Sequence, residues 1–372
     1  MVEVREVKTK KEQKEFIEFP LKLYKGNPYF VPPLYGDEKK LFDTENVYCD
    51  QAESVFYNAY RDGKIVGRIH GILQYAANEK WGQKRVRFTR FDSIDDEEVS
   101  RALFDKLAEW AKAKGMEELV GPLGFSDLER EGLLIEGFDQ LSTFEEQYNY
   151  EYYQKLIEAY GFEKEIDWNE FKLSLPEKMD ERIPKVCEML MKKYKLHYGK
   201  AKNTKEFIEK YGDGIFELLD ITYANLYGTV PFTQSMKDML IANFKLIIDI
   251  KYVAIILDEN ERPVCFGLGF PSIAKAVQKS GGRLTLPTLI KVLKSLKKPE
   301  VLDMALIGVL PEYARKGISV SLIAGAMNIM KNCNIKYAET NLILENNYSS
   351  RNQFKRFNKV LHKRRRSFVK SI

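Results

Sequence analysis

The sequence predicts an α/β chain of the α+β mixed-sheet kind. It is expected to hold two tandem domains, each a mixed, mostly antiparallel sheet flanked by helices. Three observations predict this. The chain has 372 residues, 44% apolar and 30% charged, which suffices for a large core and exceeds the usual size of one domain. Asp62-Gly63 joins two β-rich runs, the strongest short-range sign of a hairpin. Both halves follow one order of elements: helix, hairpin, strand, helix, strand, helix, strand. This is a repeat of pattern, not of residue identity.

In the first half, residues 11–25 set Phe16, Ile17, Phe19, Leu21, Leu23 and Tyr24 among charges, the pattern of a short amphipathic helix. Pro28 and Pro32-Pro33 break it into an extended loop. The hairpin pairs 54–60 with 64–73, and 85–94 is a further strand. Asp95, Asp96, Glu97 and Glu98 sit where carboxylates favour a helix N-terminus. Val99, Leu103, Leu107, Trp110 and Ala111 make that helix's apolar face, and Gly115 ends it. A strand over 118–125 is broken by Pro122. A helix over 152–160 and a strand over 167–175 close the half, and Pro176 begins a linker. The expected division is 1–176 for the first domain, 177–200 for the linker and first elements of the second, and 201–372 for the second.

In the second half, helices are expected over 207–227 and 235–248. A hairpin pairs 252–257 with 264–270 through Asp258-Glu259-Asn260. Residues 271–300 look inserted, with Gly281-Gly282, Pro287 and a lysine-rich amphipathic helix up to Pro299. Then comes the stretch around which the half is organised. Met304 to Leu310 is a continuous apolar run, the mark of a strand covered on both faces. Pro311 ends it, having no N–H for a ladder. Ala314 to Ser319 turns the chain into an apolar-periodic helix over 320–330. Gly317 permits close backbone approach to a ligand, and the helix N-terminus behind it presents N–H groups and a positive dipole end. That is an anion site suited to phosphate, with Arg315 and Lys316 adding charge. A strand over 335–344 and a short helix over 349–357 follow.

These residues resemble the GNAT superfamily of acyl-CoA-dependent N-acetyltransferases. Its loop reads Gln/Arg-x-x-Gly-x-Gly/Ala after a Val-x-Pro-Glu-Tyr stretch. Val309-Leu310-Pro311-Glu312-Tyr313 matches that lead-in and Gly317 falls on the central glycine, while Ala314 and Ser319 depart from the loop pattern. The resemblance implies that the amides of Arg315, Lys316, Gly317, Ile318 and Ser319 bind the pyrophosphate of acetyl-CoA or another acyl-CoA. It further implies that the amide of Val309 or Leu310 polarises the acyl carbonyl, and that the element order is the GNAT order twice. The first half's counterpart loop, residues 93–98, has no glycine and four carboxylates, which would repel a pyrophosphate. The first domain is therefore expected to be degenerate, with the acyl-CoA loop in the second.

Acyl transfer to an amine calls for a neutral amine, a polarised carbonyl and a departing thiolate. The family's proton donor to sulfur is a tyrosine seven residues after an asparagine. Counted from Asn347 this lands on Phe354, which cannot donate, so the side-chain acid is either absent or supplied by Tyr348. Candidate bases are Asp303, Glu339 and Glu345. Glu339 is preferred because strand alternation puts it with Tyr337 and Asn341 on one face. The long loop over 121–139 carries Asp127, Glu129 and Glu136, candidates to meet a cationic amine in the substrate pocket.

A net charge of +5 is modest for this length and gives no overall nucleic-acid signature. Four scattered cysteines and three scattered histidines form neither a zinc pattern nor a disulfide framework, so no metal is expected. The N-terminus lacks a signal-peptide core and no apolar run reaches membrane-spanning length. A soluble, cytoplasmic protein that does not engage membranes is expected, with no signal for an oligomeric state. The tail over 351–372 holds nine Lys/Arg and no Asp/Glu. No base-stacking aromatics interleave its basic run from His362 to Ser367, and a charge-protected edge strand explains it more simply than nucleic acid. The function expected is transfer of an acetyl group to a small-molecule or peptide amine. The rivals are a catalytically silent CoA-binding protein and a nucleic-acid module using the tail.

Overall fold

A computed structural model describes residues 1–43 and 46–372. Its strands are, in chain order, β1 (Glu3–Glu6), β2 (Ala52–Arg61), β3 (Lys64–Gln74), β4 (Arg85–Ser93), β5 (Glu118–Gly121), β6 (Leu133–Glu136), β7 (Glu163–Ser174), β8 (His197–Tyr198), β9 (Val253–Leu257), β10 (Pro263–Pro271), β11 (Val301–Val309), β12 (Tyr337–Thr340), β13 (Ile343–Leu344) and β14 (Asn358–Ser371). The chain divides into two compact units. The first is Met1–Asn169 with Ile273–Val292 and His362–Ile372; the second is Glu170–Ser272 with Leu293–Leu361.

In the first unit, β1 to β4 run as an antiparallel meander and β4 pairs with β5 in parallel. Asp62, at φ 51°, and Gly63, at φ 73°, make the β2–β3 turn expected of an Asp-Gly pair. The helix Lys10–Leu23 opens on a capping box in which Thr9 and Glu12 satisfy each other's backbone N–H. The helix Glu97–Ala113 lays Val99, Leu103, Phe104, Leu107 and Ala111 into a core with Phe88, Phe91 and Tyr153.

The second unit repeats this plan. β8, β9, β10 and β11 are antiparallel neighbours, and β11 pairs with β12 in parallel. The helix Thr204–Tyr223, capped by Asn203, supplies Phe207, Tyr211, Ile215, Leu218 and Leu219 to one core. The helix Ser319–Asn332 supplies Ile323, Met327 and Met330 to a second.

The strand beyond each parallel pair corrects the expected domain division. In the first unit it is the chain's C-terminal strand, with Phe368 opposite Gly121 and Ser371 opposite Glu118. In the second unit it is the latter part of β7, with Leu173 opposite Ala338. Each sheet is thus extended by a segment from the other half of the sequence. Residues 273–292 also join the first unit: Tyr35 N–H bonds the Gly282 carbonyl at 2.9 Å, and Gln278 donates to the carbonyls of Pro28 and Phe30.

The tail is not a charge-protected edge strand. β14 lies between β5 and β7 and also pairs with β6. Arg365 is 0% exposed, donating to the Gln147 carbonyl and lying 3.9 Å from Glu146. Arg366 makes a two-pronged pair with Asp167 at 2.7 and 3.0 Å, and Arg364 meets Glu136 at 2.9 Å. The acids that neutralise this basic strand come from distant parts of the sequence, which is why the tail reads as unbalanced charge.

Candidate active site

The site is built where β11 leaves β12. Their parallel register runs from Val301 opposite Tyr337 to Met304 opposite Thr340 and then stops. On the other edge, the register with β10 shifts between Leu268 and Gly269, leaving Ala305 as the extra residue of a bulge. Gly308 is therefore not the bulge. It is a glycine because the helix Thr204–Tyr223 presses on it: a Cβ there would lie 2.3 Å from Leu218 Cδ2. Beyond the bulge, Leu310 N–H donates to the Val264 carbonyl at 3.0 Å. This removes Leu310 as a carbonyl-polarising amide. Alternation turns the Val309 N–H to the opposite edge, where pairing with β12 has ended. At that edge Tyr223, whose role the sequence did not reveal, places its hydroxyl 3.2 Å from the Ile307 carbonyl and 3.4 Å from the Ile307 N–H.

After β11, Pro311–Ala314 forms one short helical turn and Ser319–Asn332 the main helix. Gly317 joins them at φ 75°, in the left-handed region that glycine adopts most readily. A Cβ at Gly317 would touch only Leu190 Cδ1 at 3.9 Å, so the backbone there is open to approach. The five expected amides do not act alike. Those of Arg315 and Lys316 turn back to the Tyr313 carbonyl. Those of Gly317, Ile318 and Ser319 find no acceptor among the described residues, and no side chain caps the helix. Three consecutive amides at the positive end of a helix form a cradle whose chemistry fits a phosphate group. Arg315 is exposed beside it. The Lys316 ammonium sits over the rings of Tyr313 at 4.4 Å and Tyr194 at 4.9 Å, so this charge is held in place rather than mobile.

Glu339 is buried on β12, directly across from Asp303 on β11 and Lys172 on β7. Asp303 and Glu170 are buried as well, and carboxylate oxygens of Glu170 and Glu339 lie within 4.8 Å of each other. Three acids on three neighbouring strands thus surround the foot of the opening between β11 and β12. Glu170 had no sequence signal, because only strand pairing brings it there. The expected face of Tyr337, Glu339 and Asn341 is shorter than the alternation suggested. β12 ends at Thr340, and Asn341 turns to donate to the Ala305 carbonyl at 3.3 Å. Tyr348 heads the helix Tyr348–Gln353 and is 66% exposed, while Phe354 is buried in the core. Asn347 caps that helix, accepting from Ser350 N–H at 3.1 Å.

The first unit's counterpart terminus is closed. Asp96 caps the helix Glu97–Ala113, accepting from Glu98 and Val99 N–H, and Arg61 binds Asp96 and Glu98 at 2.7 Å each. The hydrogen bond from Arg61 holds the Asp96 carboxyl below the usual range. The loop expected to meet an amine is folded into its own unit instead. Glu129 accepts from Phe125 N–H at 2.8 Å, and Glu136 pairs with Arg364 across β6 and β14. Asp127 lies beside the buried Glu131, whose carboxyl is pushed well above the ordinary range by burial and then by Asp127. Asn149 fastens the loop by bonding both the N–H and the carbonyl of Leu134. Glu129 and Glu136 are thus engaged within their own unit, and Asp127 faces another acid.

No family model matches the chain. It is similar to Protein YghO of Escherichia coli (strain K12), at 29% identity over 99% of this chain and 95% of that protein. It is also similar to the bacterial ceramide synthase of Caulobacter vibrioides (strain NA1000 / CB15N), at 28% identity over 66% of this chain and 64% of that protein. Among solved structures, a tandem GNAT protein from the clavulanic acid biosynthesis pathway superposes with a TM-score of 0.55. That match has 10% identity and covers 100% of this chain and 98% of that one. The sheet order, the parting of β11 from β12 and this likeness together show that the chain has the fold of the tandem GNAT proteins.

Proposed function

We propose that the chain is an N-acyltransferase whose second unit binds acetyl-CoA or another acyl-CoA and transfers the acyl group to an amine. One observation carries the reading: the open cradle of Gly317, Ile318 and Ser319 amides follows directly from the strand whose Val309 N–H is turned to an unpaired edge. The cradle would hold the pyrophosphate, with Arg315 beside it. The bound coenzyme supplies an acyl group activated as a thioester. The Val309 N–H is then available to the acyl carbonyl oxygen, where negative charge develops during attack. Glu339 receives the proton that the incoming ammonium must lose. Tyr348 is the side chain available to protonate sulfur, and an unassisted thiolate is a fair leaving group, since a thiol has a pKa of about 8.5.

The name of the Caulobacter relative favours one acceptor class. A ceramide is an amide of a fatty acid with a long-chain amino alcohol, so the acceptor proposed here is a long-chain amine and the donor includes long acyl chains. Calorimetry with CoA and acetyl-CoA tests the coenzyme site. A turnover assay over short and long amines and acyl-CoAs tests the reaction. Absence of CoA binding by the folded protein would remove the enzyme reading. Binding without turnover of any amine would leave the silent coenzyme-binding protein.

A further inference from the structure

The helix Leu286–Lys297 presents an apolar stripe to solvent. Leu286 is 79%, Ile290 67% and Leu293 57% exposed, and Leu289 joins them at 39%. Their spacing of i, i+3, i+4 and i+7 places all four on one face. The opposite face is the packed one, with Thr288 buried. Lys291, Lys294, Lys297 and Lys298 are exposed along and beside the stripe. From Pro263 to Pro299 the sequence holds seven Lys/Arg and no Asp/Glu.

We infer that this helix docks the protein on an anionic lipid surface, lying in the interface with its leucine and isoleucine side chains among the acyl chains. Twelve residues of helix span roughly 18 Å, well short of a bilayer core of about 30 Å, so the helix lies on the membrane and does not cross it. The chemistry selects lipid over protein. Protein interfaces are rich in Trp, Tyr and Arg and poor in Lys, whereas this face is wholly aliphatic and flanked by four lysines. Lysine stems can lie along the apolar boundary while their ammonium groups reach the headgroups. A second copy of the chain fits poorly, because a two-fold contact through this face would bring like charges together. The inference does not depend on the acyl-transfer reading.

The test is co-sedimentation of the full chain with phosphatidylcholine vesicles, with and without phosphatidylglycerol, at low and high salt. Binding is expected to the phosphatidylglycerol vesicles and to fall with salt. Replacing Leu286, Ile290 and Leu293 together by Ser should weaken it by at least about tenfold. Replacing the four lysines by Gln should do the same and remove the salt dependence. The lysine variant decides the matter should the Ser variant not fold by circular dichroism. Failure of the wild-type chain to bind phosphatidylglycerol vesicles, or unchanged binding by folded variants, would overturn the inference. So would a wild-type dimer in light scattering that the Ser variant abolishes.

Discussion

Two helix N-termini occupy the same place in the two units and behave in opposite ways. At Glu97–Ala113 the chain provides its own anion: the Asp96 carboxylate takes two orphan amides, and Arg61 neutralises it together with Glu98. At Ser319–Asn332 three amides are left without an acceptor among the described residues, and Arg315, just before them in sequence, is exposed. The surrounding sheet is alike in both units, an antiparallel meander followed by one parallel pair. The fold therefore supplies the place, and the few residues before the helix decide whether its amides are capped from within the chain.

The largest effect that would break this comparison comes from closing the open terminus. Gly317→Glu should abolish acetyl-CoA binding by calorimetry, because it puts a carboxylate against the proposed pyrophosphate site and a side chain at positive φ. Asp96→Ala should not create binding in the first unit, since Glu97 and Glu98 remain. Next, Glu339→Gln should slow acyl transfer by about 10²–10⁴-fold with coenzyme affinity unchanged, the range for a lost general base. An unaltered rate constant at saturating amine would assign the base to another acid.

Glu131 sharpens the first unit's side of the contrast, as an acid whose burial and neighbouring Asp127 outweigh the pull of the Arg87 guanidinium. Its raised folded-state pKa means that the protonated form is favoured on folding. Its contribution is thus intact below the unfolded pKa of about 4.3 and is lost as pH rises through the folded value. Glu131→Gln should therefore stabilise the protein near neutral pH, by about 1–3 kcal/mol in urea melts. The gain should fade as pH drops toward 4, and a gain independent of pH would contradict this account.

Asp96→Ala should itself cost about 1 kcal/mol, the usual value of an N-cap, whereas Ser319→Ala should cost little because that serine caps nothing. Thermal or urea unfolding of the pair compares the two termini directly. The smallest effect is expected at Tyr348. With its ring exposed and Phe354 buried, Tyr348→Phe should slow transfer by less than about tenfold, below the general-acid range. A loss of a hundredfold with coenzyme binding intact would make Tyr348 the acid.

Much of the candidate site's backbone was legible because it is local. Pro311 marks a strand end in any context, and Gly317 marks a turn that other residues enter at a cost. The apolar run before them and the periodic helix after them have distinct periods. What alternation could not tell was which amide, Val309 or Leu310, faces the opening. That depended on Leu310 bonding Val264, a contact between strands. In the 121–139 loop, likewise, charge alone does not say whether an acid such as Glu136 meets a ligand or the chain's own Arg364.

By itself the sequence determined the hairpins, the helix ends, the repeated order of elements and the strand-loop-helix that carries the cradle. Each of these rests on backbone preferences and side-chain periodicity within a few residues. Only the tertiary structure decided that the last strand and β7 extend sheets in the opposite halves of the chain, and that Glu170, Asp303 and Glu339 gather on neighbouring strands. It likewise decided that a run of arginines lies within a sheet, Arg365 buried and its neighbours partly so, matched by Asp167, Glu136 and Glu146. Strand partners are chosen by which faces can be buried together and which charges can be neutralised there, and those partners lie far apart in sequence.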